Sequence, residues 1–256
     1  MILRKIKGDH LFRDVGDDTR NQVVENIIEA SSPRKSFFVV VAVAAIVCTA
    51  GLLMDSVALI IGAMLIAPML SAILSISLGI VVFNWQLFYR SLIVVWKAVL
   101  LLFVSAFGIA MLFKTSQELS YDFLLKNDFT IEIFVISLVV GFVATLSFIR
   151  KELSQYITGT AIAVTLIPPV CIGAIALRMG YPNHFISALW VFLINLGGIL
   201  ISSMAVFIAT QFHHSKRRVV QELKEEKKFL EKLTRKEKIK RWLSEGLDIL
   251  IKTFKK

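Results

Sequence analysis

The stretch DSVALIIGAMLIAPML, which occupies residues 55–70, decides the fold of this chain. It opens an apolar run from Val57 to Phe83 and carries Pro68 near the middle of that run. The run is longer than the roughly 20 residues that a helix needs to span a bilayer. A proline inside a helix removes one backbone hydrogen bond and collides with the carbonyl four residues earlier. The stretch therefore predicts a transmembrane helix that is kinked or broken near the bilayer centre.

Five more apolar runs accompany this one, and hydrophobic residues make up 56% of the 256-residue chain. Ordinary soluble domains contain roughly 45–50% apolar residues, so this composition excludes a soluble fold. We predict an all-α polytopic membrane protein with one membrane domain, residues 36–212, between tails at residues 1–35 and 213–256. The six predicted transmembrane helices are Ser36–Met54, Val57–Phe83, Ser91–Phe113, Ile131–Ile149, Tyr156–Leu177 and Phe185–Phe212.

The lysines and arginines of the short loops indicate the orientation, because cytoplasmic loops carry an excess of these residues. One side of the predicted bundle carries eight of them and the other side carries three. We therefore predict that both termini are cytoplasmic. The eight are Arg34, Lys35, Arg90, Arg150, Lys151, Lys216, Arg217 and Arg218, and the three are Lys114, Lys126 and Arg178.

The two halves of the membrane domain resemble each other. Residues 65–69, LIAPM, match residues 166–170, LIPPV, at an offset of 101 positions. The halves, about residues 36–113 and 131–212, each contain three predicted spans, so the second half must enter the membrane from the opposite side. This predicts a 3+3 inverted repeat in which Pro68 breaks the second helix and the pair Pro168 and Pro169 breaks the fifth.

Proline-interrupted helices at corresponding positions often mark the midplane binding site of a transporter, which is built from half-helix ends and unwound backbone. Prolines are also common in membrane helices as packing kinks that neighbouring helices satisfy. Both interpretations stay open at this point. The first predicts a transporter or channel whose site lies between the two broken helices.

Residues 55–69 are similar to the signature of a prokaryotic family of hydrophobic membrane proteins, domain of unknown function 389. The specific part is Gly-Ala-Met-x-Ile-x-Pro at residues 62–68, and the resemblance extends over about residues 36–212. It implies a multi-pass fold in a prokaryotic cytoplasmic (inner) membrane. The family carries no established activity, so the resemblance assigns no functional residue.

Ionisable side chains near a membrane interior are candidates for function, and Asp55 lies at the predicted outer end of the second span. Two interpretations of Asp55 stay open. Followed by Ser56, it caps the second helix by accepting hydrogen bonds from first-turn amides, or it takes part in gating or proton coupling. Ser56 and Gly62, which begin the same helix, belong to this part of the candidate site.

Neutral polar residues lie around the two proline positions. Together with half-helix amide ends they favour a neutral or anionic solute over a bare cation, since no central carboxylate offsets the lost hydration of a cation. The alternative is that each hydroxyl bonds its own backbone or a neighbouring helix. The candidate substrate-binding residues are Asp55, Ser56, Gly62, Pro68, Ser71, Ser75, Thr160, Thr165, Pro168, Pro169 and Asn195.

Other residues of the spans are predicted to serve packing. Gly141 and Gly198 allow neighbouring helices to approach closely. Cys48 and Cys171 lie inside apolar runs without metal-ligand spacing, so we predict buried packing residues and neither a zinc site nor a disulfide framework. No metal and no cofactor is expected.

Both tails are predicted to form cytoplasmic amphipathic helices. Residues 17–31 place Val23, Val24, Ile27 and Ile28 at helical spacing. This helix packs under the membrane domain, lies on the lipid surface, or contacts a neighbouring subunit of a homo-oligomer. Residues 213–256 carry fifteen Lys and Arg against seven Asp and Glu, which favours anionic inner-leaflet lipids over nucleic acid as a partner.

These features favour a transporter or channel for a small neutral or anionic solute. The alternative is a membrane-anchored scaffold or sensor that acts through its cytoplasmic helices, and deletion of residues 216–256 distinguishes the two. An enzyme is not expected, because the spans place no histidine beside a Ser or Cys nucleophile.

Overall fold

The structure, a computed structural model, describes residues 16–66, 68–113, 130–150 and 166–233, and the regular elements in these ranges are helices. A 3-10 turn, Phe212–Ser215, joins the last two of them. The helices are α1 (Asp17–Ala30), α2 (Lys35–Leu53), α3 (Val57–Ile66), α4 (Met69–Val81), α5 (Trp85–Leu112), α6 (Thr130–Ile149), α7 (Ile167–Arg178), α8 (Pro182–Ala209) and α9 (residues 216–233).

The apolar helices indicate a multi-pass membrane protein. Within the described ranges, α2, α5, α6 and α8 are each long and apolar enough to cross a membrane, and the bent pair of α3 and α4 is a candidate for a fifth span or for a re-entrant loop. The short apolar helix α7 covers only the second half of the predicted span Tyr156–Leu177. The first half lies outside the described residues, so the sixth span stays a prediction.

The predicted break in the second span is present at Pro68. Helix α3 ends at Ile66, Pro68 occupies the N-cap position of α4, and the two helices are bent by 50°. Because proline has no backbone N–H and cannot continue the hydrogen-bond ladder of α3, the chain starts a new helix there.

The second proline pair lies at the start of a helix. Pro168 and Pro169 are in the first turn of α7, after the N-cap residue Leu166 and Ile167. The amides of a first turn have no intrahelical acceptor, so prolines are tolerated there without breaking a helix. They begin α7, and whether a helix precedes them concerns residues 151–165, which lie outside the described ranges.

Two helical hairpins in the bundle have nearly equal dimensions. Helices α4 and α5 have 13 and 28 residues, and α7 and α8 have 12 and 28. Trp85 and Pro182 begin the long helices and Leu112 and Ala209 end them, so both pairs are 97 positions apart. The hairpin offset of 97 differs by about one helical turn from the 101 positions of the sequence match, which pairs Pro68 at the N-cap of α4 with Pro169 in the first turn of α7.

The same offset relates the two hairpin turns. Asn84 N–H donates to the Gly79 carbonyl at 2.9 Å, and Tyr181 N–H donates to the Ala176 carbonyl at 2.9 Å. Each turn contains one left-handed residue between these partners, Phe83 with φ 52° or Gly180 with φ 81°. These are Schellman-type helix ends, which satisfy the last carbonyls of one helix and reverse the chain into the next.

Helices α6 and α8 pack closely through small residues, as predicted. A β-carbon built on Gly141 lies 2.2 Å from the Ser202 Oγ, and one built on Gly198 lies 2.6 Å from the Ser137 Cβ. Both distances are shorter than any real contact, so glycine is required at these two positions for the helices to approach.

Helix α1 packs under one end of the bundle, which is the first of the three predicted alternatives. Val23, Val24, Ile27 and Ile28 are all buried. They form a second hydrophobic core with parts of α4, α5, α6 and α8 and with α9, whereas the main core contains α2, α7 and other parts of α4, α5 and α8. We call this end of the molecule the α1–α9 face. The predicted C-terminal amphipathic helix after residue 233 lies outside the described ranges.

Candidate functional site

Asp55 lies in the turn between α2 and α3, and the prediction that it caps the second helix is wrong. It has φ 51°, and its N–H donates to the Leu52 carbonyl at 3.4 Å, while Ser56 N–H donates to the Gly51 carbonyl at 2.8 Å. Asp55 is therefore the left-handed residue that ends α2. Ser56 stands at the N-cap position, because its carbonyl accepts the first helical bond of α3 from Ile60 N–H at 3.2 Å.

Gly62 lies in the middle of α3 and is half-buried. A β-carbon built on it meets no atom within 4 Å. Packing therefore does not require glycine at this position, in contrast to Gly51 at the end of α2, where the same test places a β-carbon 2.9 Å from Leu59.

Ser71 connects the break in the second span to the α1–α9 face. Its buried hydroxyl donates to the Pro68 carbonyl at 3.0 Å and to the Ala30 carbonyl at 3.1 Å. Ala30 is the last residue of α1. The first turn of α4, which follows the break directly, is thus hydrogen-bonded to the end of α1.

Two further serines of α4 contact the long helices of both hairpins. The Ser91 hydroxyl of α5 donates to the Ser75 oxygen at 2.7 Å, and both side chains are fully buried. The Ser77 hydroxyl donates to the Leu200 carbonyl of α8 at 3.4 Å. Hydroxyl bonds of this kind join membrane helices where no water competes.

Asn195 lies on α8 against α6. Its Oδ1 accepts a hydrogen bond from the Ser137 hydroxyl at 2.5 Å, and both residues are buried. Thr160 and Thr165, the other two predicted hydroxyls, lie outside the described residues. The structure therefore distributes the predicted polar residues among contacts with α1, α5, α6 and α8, as the packing alternative expects, and a role in solute binding stays a prediction.

Arg90 makes four hydrogen-bonding or ionic contacts with described residues, whereas its position in the sequence indicated only the orientation of the chain. Its guanidinium donates to the carbonyls of Ile28 and Ser31 at 3.2 and 3.3 Å and to the Ser31 hydroxyl at 3.2 Å. It also forms an ion pair with Glu226 of α9, and the two side chains are 16% and 10% exposed. One residue near the start of α5 thus contacts both helices of the α1–α9 face. No sequence pattern predicts this, because Glu226 lies 136 positions away.

A further ion pair joins α1 to α9. Arg218 of α9 contacts Glu25 of α1 at 3.2 Å, and it also contacts Glu222 of its own helix at 2.7 Å. Burial raises the pKa of the Glu222 carboxyl, and the neighbouring Arg218 offsets part of this increase. Arg34, which pairs with Glu29 at 3.2 Å, also lies over the ring of Phe229 at 5.0 Å. These contacts hold α9 against the rest of the face.

Cys48 of α2 and Cys171 of α7 are both fully buried, as predicted. Their side chains are in hydrogen-bonding contact, which the sequence analysis did not anticipate because the two residues belong to different halves of the chain. The pair marks where α2 packs against α7.

An apolar groove separates α5 from α8, and the first turn of α7 forms its floor. Its volume is about 360 Å³. It borders Pro169, where the sequence analysis expected polar main chain, but all its lining residues are apolar. The lining residues are Leu92, Val95, Trp96, Val99, Leu100 and Phe103 of α5, Pro169, Val170 and Gly173 of α7, and Phe185, Ala188, Leu189, Phe192, Leu193 and Leu196 of α8.

The bent span, the long apolar helices and their buried hydroxyl contacts define a multi-pass α-helical membrane protein. The chain belongs to the family described as Domain of unknown function (DUF389), whose model matches residues 64–201, more than half of its length. The match begins just before the break at Pro68 and ends within α8, so it excludes α1, α2 and α9. The resemblance seen in the sequence is thereby confirmed.

The chain is also similar to an uncharacterized protein of Methanocaldococcus jannaschii, with 30% identity over 167 residues. The aligned segment covers 64% of this chain and 51% of the archaeal protein. The chain thus spans about half the length of that relative. No solved structure matches the chain.

Proposed function

We propose that this chain is a membrane transporter or channel for a small neutral or anionic solute, in a prokaryotic cytoplasmic membrane with both termini in the cytoplasm. The observation that carries the proposal is the break between α3 and α4 at Pro68. Amides at the start of a helix attract anions and other electron-rich groups.

The matched hairpins support the same proposal. In an inverted repeat of three spans, the second half enters the membrane in the opposite direction from the first half. Transporters of this design bind their solute where the two halves meet. The hairpins α4–α5 and α7–α8, at 97 positions apart, are the described parts of such a repeat. The 3+3 arrangement would place the N-termini of α4 and α7 near the same membrane depth.

The charge of the central helices favours a neutral or anionic solute. Helices α3, α4 and α7 contain no Asp, Glu or Lys, and their one charged residue, Arg178, is the last residue of α7. A bare cation would lose its hydration without a carboxylate to replace it. Neither a metal nor a cofactor is part of the proposal, and we assign no enzymatic reaction.

Solute-driven swelling of proteoliposomes tests the proposal. The protein is reconstituted and exposed to gradients of small neutral solutes, such as glycerol and urea, and of small anions, such as formate and nitrate. Pro68→Ala should restore a continuous helix and lower the flux severalfold. Pro182→Ala is the matched control, because Pro182 begins α8 away from the break. Flux no greater than that of protein-free liposomes for every solute would overturn the proposal.

The α1–α9 face favours a second candidate function, a membrane-anchored scaffold or sensor. The ion pairs of Arg90 and Arg218 dock two extramembrane helices onto the bundle. Partner recognition through these helices, or assembly into a homo-oligomer, is then the activity. Deletion of residues 216–256 should leave solute flux at least partly intact under the first proposal, whereas assembly or signalling should be lost under the second.

A further inference from the structure

The groove between α5 and α8 opens toward the surface that the bundle presents to lipid. Trp96 is 70% exposed and Leu100 55% exposed on one wall, and Leu189 is 46% exposed on the other. In a chain whose long helices span a bilayer, apolar side chains exposed to this extent face hydrocarbon. The groove is therefore accessible from the membrane interior.

The lining excludes water as the occupant. A buried water needs two to four polar partners, whereas every residue that lines this groove is apolar. An empty groove would deprive its walls of dispersion contacts on one side. Hydrocarbon from the surrounding bilayer restores these contacts.

The groove, with a volume of about 360 Å³, suits a slender ligand such as a single hydrocarbon chain. The groove volume lies within the range of ordinary ligand pockets, about 300–1,000 Å³. The ring contact between Phe103 and Phe185, with centroids 5.9 Å apart, joins the two walls and limits the length of an occupant.

We propose that this groove is a binding site for one acyl chain of a membrane phospholipid. The chain lies between the α5 and α8 walls and against Gly173 on the floor. No charged side chain lines the groove, so the site recognises the hydrocarbon and leaves the headgroup in the interfacial layer. The site does not depend on the proposed transport activity.

Four pairs of lining residues occupy corresponding positions of the two hairpins. Members of each pair are 97 positions apart, so each wall is built from the same surface of its long helix. An acyl chain bound here contacts both hairpins at once and stabilises their relative placement. The pairs are Leu92 with Leu189, Val95 with Phe192, Trp96 with Leu193, and Val99 with Leu196.

Two variants fill the groove from different sides. Gly173→Leu fills it from the floor; a β-carbon at Gly173 meets Phe185 at 3.4 Å and Ala188 at 3.5 Å, which are ordinary contacts. Leu189→Trp fills it from an exposed wall position and does not disturb the core. The matched controls are Gly108→Leu, at a glycine with open space, and Ile186→Trp, at a 51% exposed position of α8 outside the lining.

Native mass spectrometry and thermal unfolding of the purified protein in detergent measure the effect. We expect wild type and both controls to retain a phospholipid and to gain a few degrees in Tm when dioleoyl phosphatidylglycerol is returned after delipidation. Both filling variants should lose the retained lipid and the Tm increase. If one variant does not fold, the other still decides the result.

Three results would overturn the proposal. The first is equal lipid retention by the filling variants and their controls. The second is lipid retention that depends on the headgroup of the phospholipid and not on the length of its acyl chains. The third is a second copy of the chain in the groove, detected with the variant Trp96→Cys as a cross-link that joins two chains and is lost when Leu189→Trp is added.

Discussion

The hairpins α4–α5 and α7–α8 share their lengths and their turns but differ in what they contain. At the position where the first hairpin has the hydrogen-bonded pair Ser75 and Ser91, the second has Ile172 and Ala188. Both long helices line the apolar groove, but only α7 of the second hairpin forms its floor, whereas α4 of the first hairpin packs against the α1–α9 face. The same scaffold thus carries a hydroxyl contact in one hairpin and apolar residues at the corresponding positions of the other, and substitutions at corresponding positions should have unequal effects.

The largest difference in the loss of stability is expected between substitutions of Arg90 and of its counterpart Ser187, which lies 97 positions later. Arg90→Ala leaves Glu226 without its ion-pair partner in a mostly buried site, which should lower the free energy of unfolding by about 3 kcal/mol. Ser187→Ala, on the half-buried side of α8, should change it by no more than about 0.5 kcal/mol. Thermal unfolding of both variants in the same detergent makes the comparison. Equal Tm values would show that the α1–α9 face does not stabilise the bundle through Arg90.

A smaller difference in the loss of stability is expected between substitutions of Gly79 and of its counterpart Ala176. A β-carbon on Gly79 lies 2.8 Å from the Phe88 backbone nitrogen, so Gly79→Ala must push α4 away from α5. Overpacking of this kind costs about 1–3 kcal/mol. Ala176→Gly should cost about 0.5–1 kcal/mol through the added freedom of glycine in a helix. The control is Gly108→Ala, which has open space and should not lower the Tm; a decrease equal to that of Gly79→Ala would contradict the packing argument.

The pair Ser75 and Ser91 should contribute about as much as one hydrogen bond to the free energy of unfolding. Ser91→Ala removes one partner of the bond to Ser75 and should cost about 1 kcal/mol. The double variant Ser75→Ala with Ser91→Ala should cost less than the sum of the two single variants, because the two residues share one interaction. A double-mutant cycle of unfolding free energies measures this coupling. Additive single effects would mean that the hydroxyls act separately.

The smallest effect concerns the pH dependence of stability at Glu222. Its pKa is raised above the ordinary 4.5, so the folded chain holds this proton more tightly than the unfolded chain does. Stability should therefore fall as the pH rises from 4.5 toward the raised pKa. Glu222→Gln should flatten the Tm profile above about pH 4.5. Glu231→Gln, at an exposed position on the same helix that does not contribute to the raised pKa, should leave this part of the profile unchanged.

Much of the helix content could be predicted from the sequence, because apolar runs of membrane length and the proline in the second span determine it locally. Helix α1 and its buried residues Val23, Val24, Ile27 and Ile28 also agree with the prediction. Helix α5 begins at Trp85, six positions before the predicted start of the third span, because the Asn84 side chain accepts a hydrogen bond from Leu87 N–H and caps it there. Such capping is a local signal that the hydrophobic pattern alone does not contain.

The polar contacts of the candidate site could not be predicted in the same way. Ser71, Ser75 and Asn195 were expected from their place in the spans, but their partners Ala30, Ser91 and Ser137 lie on other helices. Which helices become neighbours depends on packing and not on local pattern. The hairpin offset differs from that of the sequence match for a related reason, since Pro68 stands at the N-cap of α4 whereas Pro168 and Pro169 lie in the first turn of α7.

The bond from Ser71 to Ala30 makes α1 a natural reporter of events at the interrupted span. A hydrogen bond is lost when its heavy atoms separate beyond about 3.5 Å, so α4 can shift by only a few tenths of an ångström before α1 must follow or detach. A spectroscopic label on the exposed Asn26 of α1 would register such a shift without any probe inside the bilayer. The native thiols of Cys48 and Cys171 are buried against each other. The variant Asn26→Cys would therefore react selectively with a thiol-directed label.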